Sequence, residues 1–399
     1  MNSSYLIATR RTPIGRYLGA LAGYSAVELG AIAARAAIAD CGIDPGDIDE
    51  AIIGNVLQAG LGQNPARQVA IAASIPPEKS ALTVNMVCGS GLRAVMLADN
   101  LIRSGDAETI LAGGIESMSS APHLVRGCRS GWKFGDQTLI DSMLHDGLTC
   151  PFEKWPMGHA AEHTARSIGV GREELDRYSA ESHASAVAAQ ERGVFEREIA
   201  PIRSISRKGI ETTIDQDEPP RRDATVESLT RLVPAFETDG VVTAGNASSL
   251  ADGAATLVVS SAAVVRKLDK PPLARIVASA ISGGEPRELF FAPVRAIQKA
   301  IARANLKIQD IDLFEINEAF AAQMVACVRG LGLDRSRVNV NGGAIALGHP
   351  IGASGARILG SLALELERRN ETFGVAAACL GGGNAVAVVV GRDRVPSKI

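Results

Sequence analysis

The chain has 399 residues, of which 46% are hydrophobic and 4% aromatic, and its net charge is −3 at pH 7. A chain of this length can bury a core large enough for two or three domains. The near-neutral charge excludes a basic nucleic-acid-binding protein. Few aromatic residues and 41 glycines are typical of an α/β enzyme with many tight turns.

Cysteine usage and hydropathy narrow the expected compartment. The six cysteines include no Cys-x-x-Cys pair and suggest no disulfide framework, which predicts a reducing environment. No signal peptide is evident at the N-terminus and no apolar run is long enough to span a bilayer. We therefore expect a cytoplasmic protein that does not bind membranes or nucleic acid.

The first half of the chain predicts an alternation of helices and strands. The predicted elements are a helix over 25–40, a strand over 51–55, a helix over 92–102 and a strand ending near 112–114. Ser25 and Glu28 form a capping box for the first helix, and Gly42 ends it. Cys88 opens the glycine-rich turn before the second helix, where unpaired N–H groups favour a thiolate.

The second half repeats this layout. Its predicted elements are a helix over 294–304, a strand over 313–317, a helix ending near 366 and a strand over 375–379. Ser90-Gly91-Leu92-Arg93 aligns with Ser354-Gly355-Ala356-Arg357, and Asn55 aligns with Asn317. The match indicates two copies of one unit, and the alternation favours sheets that are largely parallel. In such folds the loops at the carboxyl ends of the strands form the site.

The segment 121–247 has no counterpart in either repeat and is richer in charge. We interpret it as a loop domain that covers the site, followed by a strand over 254–260 that returns to the first sheet. The predicted organisation is a first half over 1–120 plus about 248–272, the loop domain over 121–247, and a second half over 273–399.

Four residues at equivalent ends of the two repeats suit carbon–carbon bond chemistry on a thioester. One thiolate, Cys88 or Cys379, can carry an acyl group, the other can take a proton from an α-carbon, and His349 can accept a thiol proton. Asn317 can hold a water that stabilises an oxyanion together with His349, and backbone amides of Cys88 and Gly381 can form a second oxyanion hole. Each residue alone also has a structural interpretation: either thiol could be core, and Asn317 could cap a helix starting near 318.

Four motifs together resemble the thiolase family. They are Asn85-Met86-Val87-Cys88-Gly89-Ser90-Gly91, Asn317-Glu318-Ala319-Phe320, the run from Asn339 to Gly352 that contains Gly348-His349-Pro350, and Cys379-Leu380-Gly381-Gly382-Gly383. The resemblance implies a duplicated thiolase-like fold, with two mixed-sheet halves packed through helices in layers and an inserted loop domain. It also implies that Cys88 is the acyl-carrying nucleophile, His349 its activator and Cys379 the acid/base. Asn317 would belong to one oxyanion hole, and the Cys88 and Gly381 amides to the other.

The same resemblance implies a coenzyme A thioester as substrate, with no resident cofactor and no metal. The implied substrate-binding residues are Arg221, Ser228, Phe236, Ala244 and Ser248 along the coenzyme A channel, Met157 and Phe320 at the acyl pocket, and Ala319 in the same set. Members of the family form dimers and tetramers, and segment 126–143 would be the loop that associates. We therefore expect a homodimer or a homotetramer.

Some positions depart from the family pattern. Pro156 stands where many short-chain members have a histidine, and Leu289-Phe290-Phe291-Ala292-Pro293 replaces a glycine-rich segment. Asn384 follows the triple glycine where Met or Gln is more usual. These changes leave the catalytic residues intact and leave the acyl-chain preference open.

Three alternatives to a thiolase deserve comparison with it. A decarboxylating condensing enzyme of the ketoacyl synthase type shares the fold, but pairs its cysteine with two histidines or with histidine and asparagine. A thiolase-fold scaffold protein would have no need of intact Cys88, His349 and Cys379. His159-Ala160-Ala161-Glu162-His163 matches a zinc-protease pattern, but no third zinc ligand is evident.

Overall fold

The computed structural model of the protein describes residues 3–205 and 211–392. The strands are β1 (Ser4–Arg11), β2 (Gly15–Arg16), β3 (Glu50–Gly54), β4 (Ser80–Val84), β5 (Thr109–Ser117), β6 (His123–Val125), β7 (Leu139–Asp141), β8 (Ile202–Ile205), β9 (Glu211–Ile214), β10 (Ala251–Ser261), β11 (Ala274–Gly283), β12 (Leu313–Ile316), β13 (Phe373–Leu380) and β14 (Asn384–Gly391). The helices are α1 (Ala26–Cys41), α2 (Pro65–Ala72), α3 (Ser90–Ser104), α4 (Met157–Ile168), α5 (Arg172–Glu191), α6 (Val226–Thr230), α7 (Ala262–Val265), α8 (Ala292–Arg303), α9 (Ala321–Leu331), α10 (Ala344–Leu347) and α11 (Ser354–Arg369).

Local signals place the helix ends close to where the sequence predicts them. Ser25 and Glu28 form the predicted capping box of α1, because each side chain binds the other residue's backbone N–H. Gly42 ends the helix in the left-handed conformation. In the second half, α11 begins at Ser354, the counterpart of Ser90 at the start of α3.

The main sheet is mixed, so the prediction of largely parallel sheets is wrong. Its strand order is β12-β13-β14-β11-β1-β10-β5-β3-β4, with β2 paired to β10. Parallel pairing is confined to β3 with β4 and β5, and to β12 with β13. The turn between β13 and β14 has only three residues, too short for the crossover that a parallel pair requires. The returning strand β10 lies between β1 and β5, which confirms that predicted placement.

The two repeats each supply half of this sheet, and the halves meet where β1 pairs with β11 over two residue pairs. Both central helices, α3 and α11, contribute buried apolar residues to one cluster that also contains residues of both half-sheets, such as Ile52 and Val388. A second cluster packs α1 and α2 on the outer face of the first half, and a third packs α8 and α9 on the second. The layers are therefore helix, sheet, helix, sheet, helix, with α3 and α11 at the centre.

The stretch between β5 and β10 forms the covering segment. It contains α4, α5, α6 and two short hairpins, β6 with β7 and β8 with β9. Helix α4 packs against α9 and α5 against α10, so this segment lies mainly over the second half. In the part of the chain that the structure describes, no helix is long and apolar enough to cross a membrane.

Candidate active site

One cavity of about 370 Å³ brings together the residues that the motifs single out. Cys88, His349 and Cys379 all line it, although they are separated by up to 291 positions in the chain. The other lining residues are Met118, Leu144, Gly147, Leu148, Thr149, Pro156, Met157, Gly158, Phe236, Ala247, Ser248, Ser249, Leu250, Leu289, Phe290, Ala319, Phe320, Ile351 and Gly381. Two sulfurs and an imidazole from different repeats therefore share one largely apolar chamber.

Cys88 lies in a tight turn between β4 and α3. Val87, the residue before it, has a positive φ of 46°, a conformation that a β-branched residue rarely adopts. The Ser90 hydroxyl donates to the Val87 carbonyl at 2.6 Å and accepts from the Met86 amide at 2.8 Å, which holds the turn closed. A Cβ at Gly89 would lie 2.2 Å from the end of the Leu380 side chain, so any larger residue here would require Leu380 of the other repeat to move.

Burial, and not the start of α3, controls the ionisation of Cys88. Burial raises the pKa of the Cys88 thiol to about 12, although hydrogen bonds from its own amide and the Gly381 amide lower that pKa. Amide N–H groups at the turn therefore favour the thiolate, as expected, but burial outweighs them in the free protein. The thiol needs a base at the moment of attack, and the two amides already lie at the sulfur.

Hydrogen bonds fix the orientation of the His349 ring. Its Nδ1 lies 2.6 Å from the Ser354 hydroxyl, and that hydroxyl donates to the Pro350 carbonyl at 3.0 Å. Because the hydroxyl hydrogen is used on Pro350, Ser354 accepts from Nδ1–H. The other nitrogen, Nε2, then keeps its lone pair and accepts from the Asn317 amide at 3.3 Å.

Burial keeps the His349 imidazole neutral. Burial, assisted by the positive charge of Arg357, lowers the pKa of His349 to about 3. Since Ser354 is uncharged, no carboxylate beside Nδ1 offsets this effect. His349 is thus a neutral imidazole whose unprotonated nitrogen is Nε2, the form that can accept a proton from a thiol.

Cys379 lies near the end of β13, just before the Gly381–Gly383 turn, and only 2% of its surface is exposed. Burial is the main reason that its pKa lies well above the ordinary thiol value, and the nearby Cys88 raises it further. Cys379 is therefore a protonated thiol in the free protein. A protonated thiol can first serve as an acid and only afterwards as a base.

Asn317 does not cap a helix. The helix after it, α9, begins at Ala321 with Phe320 at the capping position, and Asn317 is fully buried. Its side-chain nitrogen contacts His349, while its Oδ1 has no partner among the described residues. The neighbouring Glu318 instead accepts hydrogen bonds from Tyr178, Ser182, Asn339 and the amide of Ile345, which ties the covering segment to the second half.

The predicted substrate-binding residues fall into two groups. Those in the cavity lining are Met157, Phe236, Ser248, Ala319 and Phe320. Those outside it are Arg221 and Ala244, which are exposed, and Ser228, which is half-buried. Arg221 pairs with Asp223, and the Ser228 hydroxyl donates to the Asp223 carbonyl. The structure therefore does not bring these three into the chamber with the sulfurs.

The family departures differ in how they relate to the cavity. Phe290 is buried, with 1% of its surface exposed, and lines the cavity with its ring 5.4 Å from that of Phe320. Pro156 also lines it, whereas Phe291 and Asn384 do not. Only one of the two bulky rings expected to reshape the acyl pocket is therefore in a position to do so.

The polar side chains of the zinc-protease pattern each have other partners. The buried Glu162 carboxylate accepts from the Val241 and Val242 amides, so it turns away from the two histidines. His159 contacts Glu237 and His163 contacts Glu288. Across residues 3–205 and 211–392, no cluster of three or more His, Cys, Asp or Glu could hold a metal ion.

Two buried polar residues near the cavity were not predicted. Ser354 was recognised only as a repeat position, and Glu116 was not singled out. The alignment with Ser90 was a usable signal for Ser354, since both serines start a central helix and organise the turn before it. For Glu116 the available signal was a carboxylate inside an otherwise apolar strand, Thr109–Ser117.

Comparison with known proteins agrees with this geometry. Residues 4–263 match the family model of the thiolase N-terminal domain, and residues 270–392 match that of the thiolase C-terminal domain. An acetyl-CoA acetyltransferase of Pseudomonas aeruginosa is 50% identical over 393 residues, covering 98% of this chain and all of the relative.

Two solved structures extend the match to three dimensions. The Bacillus anthracis acetyl-CoA acetyltransferase has a TM-score of 0.96 at 40% identity, covering 98% of this chain and 99% of that one. Human mitochondrial 3-ketoacyl-CoA thiolase, solved in complex with CoA, has a TM-score of 0.94 at 43% identity, with 98% of both chains covered. The chain therefore belongs to the thiolase family and is an acyltransferase.

Proposed function

We propose that this thiolase condenses acetyl-CoA with a second acyl-CoA to give a 3-ketoacyl-CoA and free coenzyme A, and that it catalyses the reverse thiolysis. The observation that carries the proposal is the shared cavity lined by Cys88, His349 and Cys379. The test is steady-state thiolysis of acetoacetyl-CoA by the purified protein, with acetyl-CoA formation followed by chromatography. A folded protein that forms no acetyl-CoA in this assay would contradict the proposal.

Acylation uses both halves of the site. As the Cys88 sulfur attacks the thioester carbonyl, its proton passes to His349 Nε2, and the amides of Cys88 and Gly381 stabilise the oxyanion. The C–S bond to coenzyme A then breaks, and Cys379 donates its proton to the leaving thiolate. This order follows from the raised pKa of Cys379, which makes it an acid before it can be a base.

Condensation uses the thiolate that acylation leaves on Cys379. It takes a proton from the α-carbon of acetyl-CoA, and the enolate oxygen is stabilised by protonated His349 Nε2 and by a water held at Asn317 Oδ1. The enolate carbon attacks the acyl group on Cys88, a carbon–carbon bond forms, and the Cys88 sulfur leaves as a thiolate that takes its proton back from His349 Nε2. A ketoacyl synthase needs no second thiol as base, so Cys379 favours the thiolase reaction over that alternative.

Coenzyme A thioesters are the proposed substrates, and no step requires a resident cofactor. We propose that the cavity residues Met157, Phe236, Ser248, Ala319 and Phe320 contact the substrate inside the chamber. Arg221, Ser228 and Ala244 would contact the more polar part of coenzyme A, which is consistent with the exposure of Arg221 and Ala244 and the partial exposure of Ser228 on the covering segment. We also propose that the chain divides into two halves and a loop domain over 121–247.

Replacing Ser354 by Ala should lower the acylation rate by about tenfold or more, because Nδ1 loses the acceptor that keeps the lone pair on Nε2. Rapid-quench mass spectrometry of acyl-enzyme formation measures this rate, and ¹⁵N chemical shifts of His349 report the tautomer. Ser361→Ala is the matched control, since Ser361 lies two turns further along α11 and bonds to Glu198. An acylation rate within twofold of wild type in the Ser354 variant would contradict this role.

Phe290 should restrict the enzyme to short acyl chains, because its buried ring occupies one wall of the cavity beside Phe320. In Phe290→Ala, the ratio of kcat/KM for an eight-carbon over a four-carbon 3-ketoacyl-CoA should rise about tenfold. Phe291→Ala is the control, since Phe291 lies outside the lining. An unchanged ratio in Phe290→Ala, or an equal rise in the control, would show that another residue limits chain length.

We propose a cytoplasmic homodimer or homotetramer. Segment 126–143 carries Trp132, Phe134 and Leu139 with 50%, 100% and 62% of their surfaces exposed, an apolar set that a second copy could bury. Light scattering after gel filtration should give two or four times the 41.6 kDa chain mass. A monomer at micromolar concentration would contradict the proposal, and Phe134→Asp should reduce a tetramer to a smaller species.

A further inference from the structure

The duplication places a second, non-catalytic counterpart of the active centre beside the first. In the first half Gly54 pairs with Gly114, and in the second Ile316 pairs with Ala377 in the same parallel arrangement. Two residues beyond Gly114 lies Glu116, and two residues beyond Ala377 lies Cys379. Glu116 therefore occupies in the first repeat the position that Cys379 occupies in the second.

The nucleophile has a counterpart as well. Cys88 lies two residues before Ser90 at the start of α3, and Gly352 lies two residues before Ser354 at the start of α11. At the active centre Cys379 of one repeat faces Cys88 of the other across the cavity. At the counterpart, Glu116 of one repeat contacts the Gly352 amide of the other at 2.9 Å.

Glu116 is completely buried, and its carboxylate accepts four N–H groups. Oε1 accepts from the Asn55 side chain at 2.9 Å and the Leu57 amide at 3.1 Å, and Oε2 accepts from the amides of Val56 at 3.2 Å and Gly352 at 2.9 Å. Among the described residues no cation pairs with it. Burial raises the pKa of Glu116 to about 7, and the amide hydrogen bonds oppose that rise. The ionised carboxylate offers acceptors alone and so matches four donors, whereas a glutamine amide would turn an NH₂ group toward two of them at every pH.

At this contact the backbones of the two repeats lie too close together to leave room for a Cβ atom. A Cβ at Gly352 would lie 2.4 Å from the Ile115 carbonyl oxygen, and one at Gly114 would lie 2.0 Å from the Gly352 carbonyl oxygen. Gly352 itself lies between His349 and Ser354, the two residues whose hydrogen bond orients the catalytic imidazole. Whatever fixes the Gly352 amide therefore fixes the turn that presents His349.

We propose that Glu116 is a positioning residue for the thiolase reaction: the counterpart of the catalytic centre is a buried clamp that holds the His349–Ser354 turn of one repeat against β5 and the loop after β3 of the other. Glu116 touches no reacting atom. Its charge helps to raise the pKa of the Cys88 thiol, and its positioning effect acts through the Gly352 amide. This inference rests on the proposed function, because it assigns Glu116 to the placement of the base that activates Cys88.

The test is Glu116→Gln in the full-length protein. We expect the acylation rate to fall roughly 30-fold with KM for acetyl-CoA nearly unchanged, since a displaced base slows chemistry without removing substrate contacts. The His349 ¹⁵N resonances should shift, which a general loss of stability would not cause. Asp99→Asn is the matched control: Asp99 is a buried carboxyl bound to Ser4 and Arg103, about 13 Å along α3 from Ser90.

Two results would overturn the inference. One is a Glu116→Gln acylation rate within twofold of wild type with unchanged His349 resonances. The other is a loss of acylation rate in Asp99→Asn that equals the loss in Glu116→Gln, when the melting temperatures of the two variants fall by the same amount. If Glu116→Gln fails to fold, Asn55→Ala removes one of the four donors, and its acylation rate should fall about threefold with KM unchanged; no change would likewise overturn it. Wild-type acylation of Cys88 in the same assay tests the proposed function separately.

Discussion

Cys88→Ala should form no covalent acyl-enzyme and should lose at least about 10³-fold in kcat for both condensation and thiolysis. The reason is that the other thiol in the cavity, Cys379, is protonated, and its high pKa is due to burial. His349 accepts the thiol proton through Nε2 in acylation, and it has no sulfur that could carry the acyl group in place of Cys88. Intact-mass spectrometry after brief incubation with acetyl-CoA measures the adduct directly.

Cys128→Ala is the control for this experiment, because Cys128 is an exposed free thiol outside the cavity. It should keep both the acyl adduct and the wild-type rate. An acyl adduct that persists in Cys88→Ala during turnover, or disappears in Cys128→Ala, would assign the nucleophile to another residue. Peptide mapping of the wild-type adduct would then identify that residue.

Cys379→Ser should separate the two half-reactions. A serine hydroxyl is too weak an acid and base to exchange the α-proton, so condensation should slow by about 10³-fold. Acylation of Cys88 should fall by less than about tenfold, because a coenzyme A thiolate leaves readily without a proton donor. Rapid-quench mass spectrometry follows acylation, and loss of deuterium exchange at the acetyl-CoA methyl group in D₂O follows the α-proton step.

Cys327→Ser is the matched variant for this experiment. Cys327 is also completely buried, but it packs in α9 outside the cavity lining, where Gln323 contacts its sulfur. It should retain both half-reactions. Equal losses of acylation and deuterium exchange in Cys379→Ser would contradict a dedicated acid/base role and would point instead to a general disturbance of the site.

The two sulfurs must lose their protons at different steps of one catalytic cycle. Burial in the fold keeps each of them protonated until its own step. Raised pKa values keep both thiols protonated in the free protein. A neutral His349 with its lone pair on Nε2 can deprotonate Cys88, and a departing coenzyme A thiolate can deprotonate Cys379. In the proposed mechanism each thiolate forms only when a thioester is in place, which would protect the sulfurs from side reactions between turnovers.

The amino-acid sequence by itself determined the features that depend on a few neighbouring residues. The capping box of α1 was readable because Ser25 and Glu28 satisfy each other's backbone groups within one helical turn. The correspondence of Ser90 with Ser354 was also readable, because the residues that follow each serine match over a short stretch. Residue chemistry and contiguous motifs also singled out Cys88, His349 and Cys379, which line one cavity in the structure.

Only the tertiary structure decided what depends on burial and on contacts between distant parts of the chain. It made Cys88 a thiol of raised pKa despite its place before α3, put Phe290 but not Phe291 in the cavity, and left Arg221, Ser228 and Ala244 outside it. It also joined Glu116 to Gly352 across 236 positions. Desolvation and close packing are properties of everything that surrounds a group, and a local stretch of sequence contains too little of those surroundings to specify them.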